Sequence, residues 1–215
     1  MATMTLIRGA DLVAAPWKNG GGVTREVAAF FPAGELPSGR PERAGLDDFV
    51  WRVSVADVAQ AGPFSRFAGI DRTLVLLSGA GMLLDEADGT DAHAVKTHAL
   101  TQPLDIARFS GEAQIDARLI DGATRDFNLM VRRGEAVGEL EVWRGQMQQS
   151  EQRTLSADVA LLFCASGSVE IKLDGAAPLV LQEDDTLRID TPNALPCAVK
   201  GVGALLAISL RYTQR

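Results

Sequence analysis

Phe49-Val50-Trp51-Arg52-Val53-Ser54-Val55-Ala56-Asp57-Val58 alternates as a β-strand does: Trp51, Val53 and Val55 fall on one face, Arg52 and Ser54 on the other. Side chains two apart share a face of a strand, so this segment predicts a strand with one apolar and one polar side. Working outward, Arg72 to Leu77 is a nearly continuous apolar run, and Leu104 to Phe109 and Ile115 to Ile120 alternate again. Phe127 to Arg132 sets Phe127, Leu129 and Val131 against Asn128, Met130 and Arg132. Later runs lie at Glu139 to Trp143, Val159 to Cys164, Val169 to Leu173, Leu179 to Leu181, Thr186 to Ile189 and Ala204 to Leu210. Gly62-Pro63-Phe64-Ser65, Ser78-Gly79-Ala80-Gly81 and Asp121-Gly122 are turn signals between them. No helical period is sustained anywhere. Short strands with frequent turns predict an all-β chain of antiparallel sheets, a sandwich or a barrel.

A faint repeat bears on domain count. Thr73-Leu74-Val75-Leu76-Leu77-Ser78-Gly79 is echoed by Leu161-Leu162-Phe163-Cys164-Ala165-Ser166-Gly167, 88 residues later. Each copy is followed by a further strand, Ile106 to Phe109 or Thr186 to Ile189. Two related barrels are therefore expected, residues 1–130 and 131–215, with strands free to cross between the halves. The segment Ala33 to Asp48, rich in Pro, Gly and charge, is expected to be an exposed loop.

The chain has 215 residues, 47% hydrophobic and 23% charged, with a formal net charge of −7. That length buries a core, and the balance opposes disorder. A net acidic chain without a basic run is a poor partner for nucleic acid. No apolar stretch is long enough for a membrane span and no leader pattern opens the chain, so a cytoplasmic protein without a membrane partner is expected. Cys164 lies in an apolar run and Cys197 follows Pro196, and both are expected to be buried free thiols.

Chemistry concentrates in Pro16-Trp17-Lys18-Asn19-Gly20-Gly21-Gly22-Val23-Thr24-Arg25-Glu26. Three successive glycines exclude a helix core and predict a loop running into a strand. It is no phosphate loop, lacking Gly-Lys-Ser/Thr. The only histidines, His93 and His98, lie five apart between Asp85 and Gln102. They are expected to face solvent, and no metal or other cofactor is expected. No nucleophile motif is present, so no catalytic residue is assigned. Anion binding suits the chain better. Arg25, Arg52, Arg72, Arg132 and Arg133 lie beside glycine turns or on alternating strands, and a guanidinium grips a carboxylate with two parallel hydrogen bonds. The same arginines have ionic partners to hand in Glu26, Asp71, Asp126 and Glu135, and structural ion pairs remain the alternative.

Several of these segments resemble the HutD/Ves family. They are Pro16 to Glu26, Trp51-Arg52-x-Ser54, Gly62-Pro63-Phe64-Ser65-x-Phe67, Gly69-x-Asp71-Arg72, Leu76-Leu77-Ser78-Gly79-x-Gly81, Phe109-x-Gly111, and Asp121-Gly122 leading to Asp126-Phe127-Asn128-Leu129-Met130 and Arg132-Arg133. The resemblance covers residues 6 to about 133 by motif, and the rest by pattern. It implies a bicupin, two cupin-like antiparallel β-barrels or sandwiches of the RmlC-like jelly-roll kind, without bound metal. HutD proteins are associated with bacterial histidine utilization, so the resemblance implies a modulator that binds a small carboxylate metabolite such as formylglutamate or urocanate. It carries no established catalytic activity, and a non-catalytic binding protein is expected. The alternative is a metal-independent isomerase or hydrolase with Glu26 as base. Motif by motif, the resemblance points to Trp17, Lys18, Asn19, Thr24, Arg25, Glu26, Arg52, Ser54, Ser65, Arg72, Asn128 and Arg132 as ligand-binding residues. Cupin barrels also pair edge strands, which is compatible with a homodimer.

Overall fold

The computed structural model describes residues 2–31, 48–87, 95–147 and 150–213. The segment 33–47 and His93 lie outside the described residues, as do the expectations placed on them. Within the described residues the chain runs β1 (Thr3–Ile7), a 3₁₀ turn (Gly9–Asp11), β2 (Ala14–Pro16), β3 (Gly22–Phe30), β4 (Trp51–Val58), β5 (Gly62–Pro63), β6 (Ile70–Ser78), β7 (Met82–Ala87), β8 (Val95–Leu100) and β9 (Ile106–Ser110). It continues through β10 (Ile115–Leu119), β11 (Thr124–Arg132), β12 (Ala136–Arg144), β13 (Glu151–Leu155), β14 (Val159–Leu173), β15 (Leu179–Gln182), β16 (Thr186–Asp190) and β17 (Leu195–Tyr212). The chain is all-β, every pairing is antiparallel, and no α-helix occurs among the described residues.

Two compact units result. One is residues 13–135, and the other joins residues 1–12 to residues 136–215. In the second unit β14 and β17 are long and pair along nearly their whole length, and β1 pairs with β16 at the sheet edge. A register shift between Cys164 and Ser166 interrupts the long ladder of these two strands. Gly167 makes this close approach feasible: its φ is 69°, and a Cβ there would sit 2.2 Å from the Val202 carbonyl oxygen. Leu162, Cys164, Ile171, Leu181, Leu187, Cys197, Val199 and Leu205 belong to one buried apolar cluster. Cys164 and Cys197 are free and buried, and burial pushes both thiols up to about 11.

The unit of residues 13–135 has a six-stranded sheet in the order β2-β3-β4-β11-β6-β9 and a four-stranded sheet in the order β5-β10-β7-β8. Ala56, Val58, Leu74, Leu76 and Ala107 of the first sheet pack on Met82, Leu84, Leu100, Ile115 and Ala117 of the second. The opposite face of the six-stranded sheet carries Trp51, Val53, Val55, Val75, Phe127 and Leu129, each 0–1% exposed. Both faces of β4 are therefore covered. The polar side expected from alternation points into the sandwich, not to solvent. The repeat has a structural counterpart: β9 pairs with β6 as β16 pairs with β14.

Candidate functional site in the sandwich of residues 13–135

Register decides which polar residues meet. On β4 and β11, Ser54 lies opposite Asn128, and Arg52 opposite Met130. Across β11 and β6, Met130 faces Arg72 and Asn128 faces Leu74. Glu26 on β3 lies opposite Ser54 before a bulge between Glu26 and Ala28. Side-chain parity then brings Glu26, Arg52, Ser54, Arg72, Asp126 and Asn128 onto the inner face.

Arg72 is the centre of this group and only 5% exposed. One terminal nitrogen donates to the Ser65 carbonyl oxygen at 3.2 Å and the other to Asn128 Oδ1 at 3.3 Å. Its guanidinium carbon lies 5.4, 5.5 and 5.1 Å from the ring centres of Phe64, Phe67 and Phe109. Aromatic faces attract a cation at such distances and offset part of the loss of water. Nε is buried without a hydrogen-bond partner. Burial lowers the guanidinium to about 10, against the pull of Asp126 and with a push from Arg52, so it stays charged at neutral pH.

Asp126 is 1% exposed, and neither of its carboxylate oxygens makes a hydrogen bond. Burial pushes its carboxyl up to about 7. Arg72 and the neighbouring Asn128 amide draw it down, and Asp57 adds to the rise. A deeply buried carboxyl poised near neutrality, on the sheet face that also carries a buried cation, marks a functional-site candidate. The sequence alone offers Asp126 as an ionic partner for an arginine. Its parity with Asn128 on one strand was the signal that would have placed it inside.

Arg52 donates from Nε to Glu26 Oε2 at 2.8 Å. The Arg52 side chain is 13% exposed and that of Glu26 48%, so the pair reaches from the interior to solvent. On the other side of Phe109 stands His98, its ring centre 6.0 Å from the phenyl. His98 Nε2 lies 2.8 Å from Glu86 Oε2, and the His98 side chain is only 11% exposed. The expectation of a solvent-facing His98 is thus corrected. Pairing of β7 with β8 supplies a carboxylate that spacing along the chain does not reveal.

The glycine-rich segment is a tight turn between β2 and β3. Trp17 N donates to Gly22 O at 2.9 Å and Gly20 N to Trp17 O at 3.0 Å. Asn19 Oδ1 accepts from Gly21 N at 3.0 Å. The Gly20 and Gly21 amides therefore hold the turn itself, and are not displayed to a ligand. A Cβ on Gly22 would lie 2.6 Å from Asp57 O and 3.0 Å from the Trp17 ring. Trp17 Nε1 donates to Thr24 Oγ1 at 2.7 Å. Trp17, Asn19 and Gly21 line a small cleft of about 30 Å³ with Val58, Gln60 and Phe64. Phe64 partitions this cleft from Arg72.

The remaining expected residues lie apart. Lys18 is exposed in the turn. Arg25 points to the face opposite Thr24 and Glu26 and pairs with Asp57. Ser65 contributes its carbonyl oxygen. Arg132 donates to the Phe49 carbonyl oxygen at 3.0 Å and lies 6.0 Å from that ring centre. Among the described residues no cluster of three or more His, Cys, Asp or Glu side chains has a metal-holding arrangement.

Comparison with known proteins accounts for this architecture. The family model HutD matches residues 9–207. The chain belongs to the HutD family. It is 36% identical over 195 residues, 91% of each chain, to a Pseudomonas putida protein described as the uncharacterized 21.2 kDa protein in the hutC 3′ region. It is 34% identical to protein Ves of Citrobacter koseri over 127 residues, 59% of this chain and 56% of that one. A solved structure of HutD from Pseudomonas fluorescens SBW25, in a formate condition, superposes with a TM-score of 0.76 at 31% identity, covering 99% of this chain and 100% of that one. The fold of this HutD-family chain is all-β and cupin-like.

Proposed function

We propose that this HutD-family protein binds a small carboxylate metabolite in the sandwich of residues 13–135 and thereby modulates histidine utilization, with formylglutamate or urocanate as the ligand class. The observation that carries this reading is Arg72: a buried guanidinium, caged by Phe64, Phe67 and Phe109, that keeps an unbonded Nε. A guanidinium is costly to bury, and one held with a spare donor suits a planar anion. Arg52 supplies the second cation, and Glu26, its half-exposed partner, is the group a ligand carboxylate displaces on entry. Ser54 and Asn128 offer neutral hydrogen-bonding groups between them. The family match and the hutC neighbourhood of the P. putida relative support the pathway.

The test is a thermal-shift and NMR titration with formate, formylglutamate, urocanate, histidine and glutamate. Binding by a carboxylate that is lost in Arg72→Met and weakened in Arg52→Met is expected. No response to any of the five at millimolar concentration refutes the proposal.

A further inference from the structure

We propose that the unit joining residues 1–12 to residues 136–215 carries a ligand site of its own, a pocket lined by β1, β16 and the β14–β15 hairpin that takes the uncharged hydrocarbon part of a small molecule. The site is independent of the carboxylate reading above.

The pocket has a volume of about 300 Å³. Its lining comes from two strand pairs. Leu6 of β1 lies directly opposite Leu187 of β16, and Leu179 of β15 directly opposite Ile171 of β14. Leu187, Ile171 and the neighbouring Leu173 are 1–3% exposed and belong to the apolar core of this unit. Leu6 and Leu179 are half-buried against that core. Met4 is 45% exposed and Pro178 is exposed, so the pocket runs from the core out to solvent.

The lining fixes the chemistry of the occupant. None of the described residues that line the pocket carries a charge or a side-chain N–H or O–H. The charged residues beside them in sequence alternate away: Lys172 is exposed between buried Ile171 and Leu173, and Arg188 pairs with Asp190 at 2.8 Å. A charged group inside would be desolvated without a partner. Water fares little better, since a buried water needs two to four polar partners. An apolar cavity of roughly 150 Å³ stays dry and accepts benzene. This pocket has about twice that volume, at the lower end of the roughly 300–1,000 Å³ usual for small-molecule sites. A fused bicyclic ring or a medium-length acyl chain matches it, with any polar end left at the Met4 and Pro178 rim.

The hollow is held open by its frame. In the β14–β15 turn Ala176 N donates to Leu173 O at 3.1 Å and Asp174 N to Pro196 O at 3.0 Å. Pro178 adds a fixed φ. The turn contributes only the small side chains of Ala176 and Ala177 beside that proline, where larger ones would fill the space. β1 is held by five residue pairs with β16. Just beyond it, Arg8 bonds Asp185 at 2.7 Å and Gly9 N donates to Asp185 Oδ1 at 3.1 Å. Asp185 also accepts from Gln182 N at 3.1 Å, so one buried carboxylate ties the end of β1 to the turn between β15 and β16. A pocket framed in this way needs little ordering when a ligand enters.

The experiment titrates protein ¹³C-labelled at its Ile, Leu and Met methyl groups with 1-octanol, with indole and with glutamate. The expected result is saturable shifts of the Met4, Leu6, Ile171, Leu173 and Leu187 methyls with 1-octanol or indole and none of these with glutamate, while Leu84 and Ile115 of the other unit stay in place. The stronger of the two apolar probes tells a chain from a ring. Ala176→Phe fills the pocket and Met4→Glu sets a carboxylate at its rim, and each should weaken binding about tenfold or more. The proposal is overturned by the absence of shifts up to the solubility limit, by shifts spread equally over both units, or by binding that is unchanged in either folded variant. Should Ala176→Phe not fold, Met4→Glu, at an exposed position, decides. The carboxylate reading stands or falls separately, on the titrations described for it.

Discussion

Replacing Asp126 by asparagine removes a titrating group while nearly keeping its shape, and the consequence for stability is calculable. In the folded protein the Asp126 carboxyl stands at about 7. In the unfolded chain an aspartate titrates near 3.9. A carboxyl raised on folding holds its proton more tightly in the native state, so stability falls as pH rises from the unfolded value to the folded one. The contribution is fully present below about pH 4 and gone above about pH 7. Three units at about 1.4 kcal/mol each give on the order of 4 kcal/mol across the whole window. Between pH 5 and pH 8 the loss is about 3 kcal/mol. Asp126→Asn does not titrate, so its stability relative to wild type should improve by that amount over the same interval. Urea unfolding of both proteins at pH 5, 6, 7 and 8, read through the fluorescence of the three tryptophans, measures the difference. A difference that stays constant within about 0.5 kcal/mol refutes the argument, because a carboxyl with an ordinary pKa adds no slope there.

Three other outcomes follow from the same geometry. Arg72→Met leaves Asp126 buried without its cation and should cost about 3 kcal/mol at pH 8, whereas Arg72→Met with Asp126→Asn should recover most of that loss, which a double-mutant cycle by urea unfolding measures. Gly22→Ala drives a methyl against the Asp57 carbonyl oxygen and the Trp17 ring, and should cost about 1–3 kcal/mol in the same assay. Cys164 and Cys197, pushed up to about 11 by burial, should resist a thiol reagent at pH 8 in the native protein and react promptly in urea.

The alternation in Phe49 to Val58 and Phe127 to Arg132 is legible because the strand period is local: it sets Arg52 and Ser54 against Trp51 on one strand and Asn128 against Phe127 on another, and the register then joins the two polar faces. The same rule separates Arg25 from Thr24 and Glu26. What sequence does not carry is pairing across distance. The bond between Arg52 and Glu26 depends on the register of β3 with β4, and that between His98 and Glu86 on β7 with β8. Nor does composition tell which side of a two-sided sheet is wetter. Trp51, Val53 and Val55 lie on one covered face and Arg72 and Asp126 on the other, so a polar residue on an alternating strand was here an interior residue. The glycine run was read as a place where backbone meets ligand, but its Gly20 and Gly21 amides close their own turn.

The energetics of Arg72 and Asp126 bear on why such a pair is kept. Leu74 and Leu76 on β6 show that the interior accepts aliphatic side chains at neighbouring positions without difficulty. Exchanging a buried ion pair for apolar residues of similar volume is often neutral or stabilising by about 1–4 kcal/mol. Here no direct contact joins the two charges, and three of their buried polar atoms have no hydrogen bond. Packing alone would therefore favour its replacement. The phenyl cage of Phe64, Phe67 and Phe109 moderates the cost of the cation without saturating it, which a purely structural arginine would not need. A site that gives up stability to hold an unsaturated cation in place before any ligand arrives avoids that reorganisation at the moment of binding. This is the arrangement expected of a carboxylate receptor.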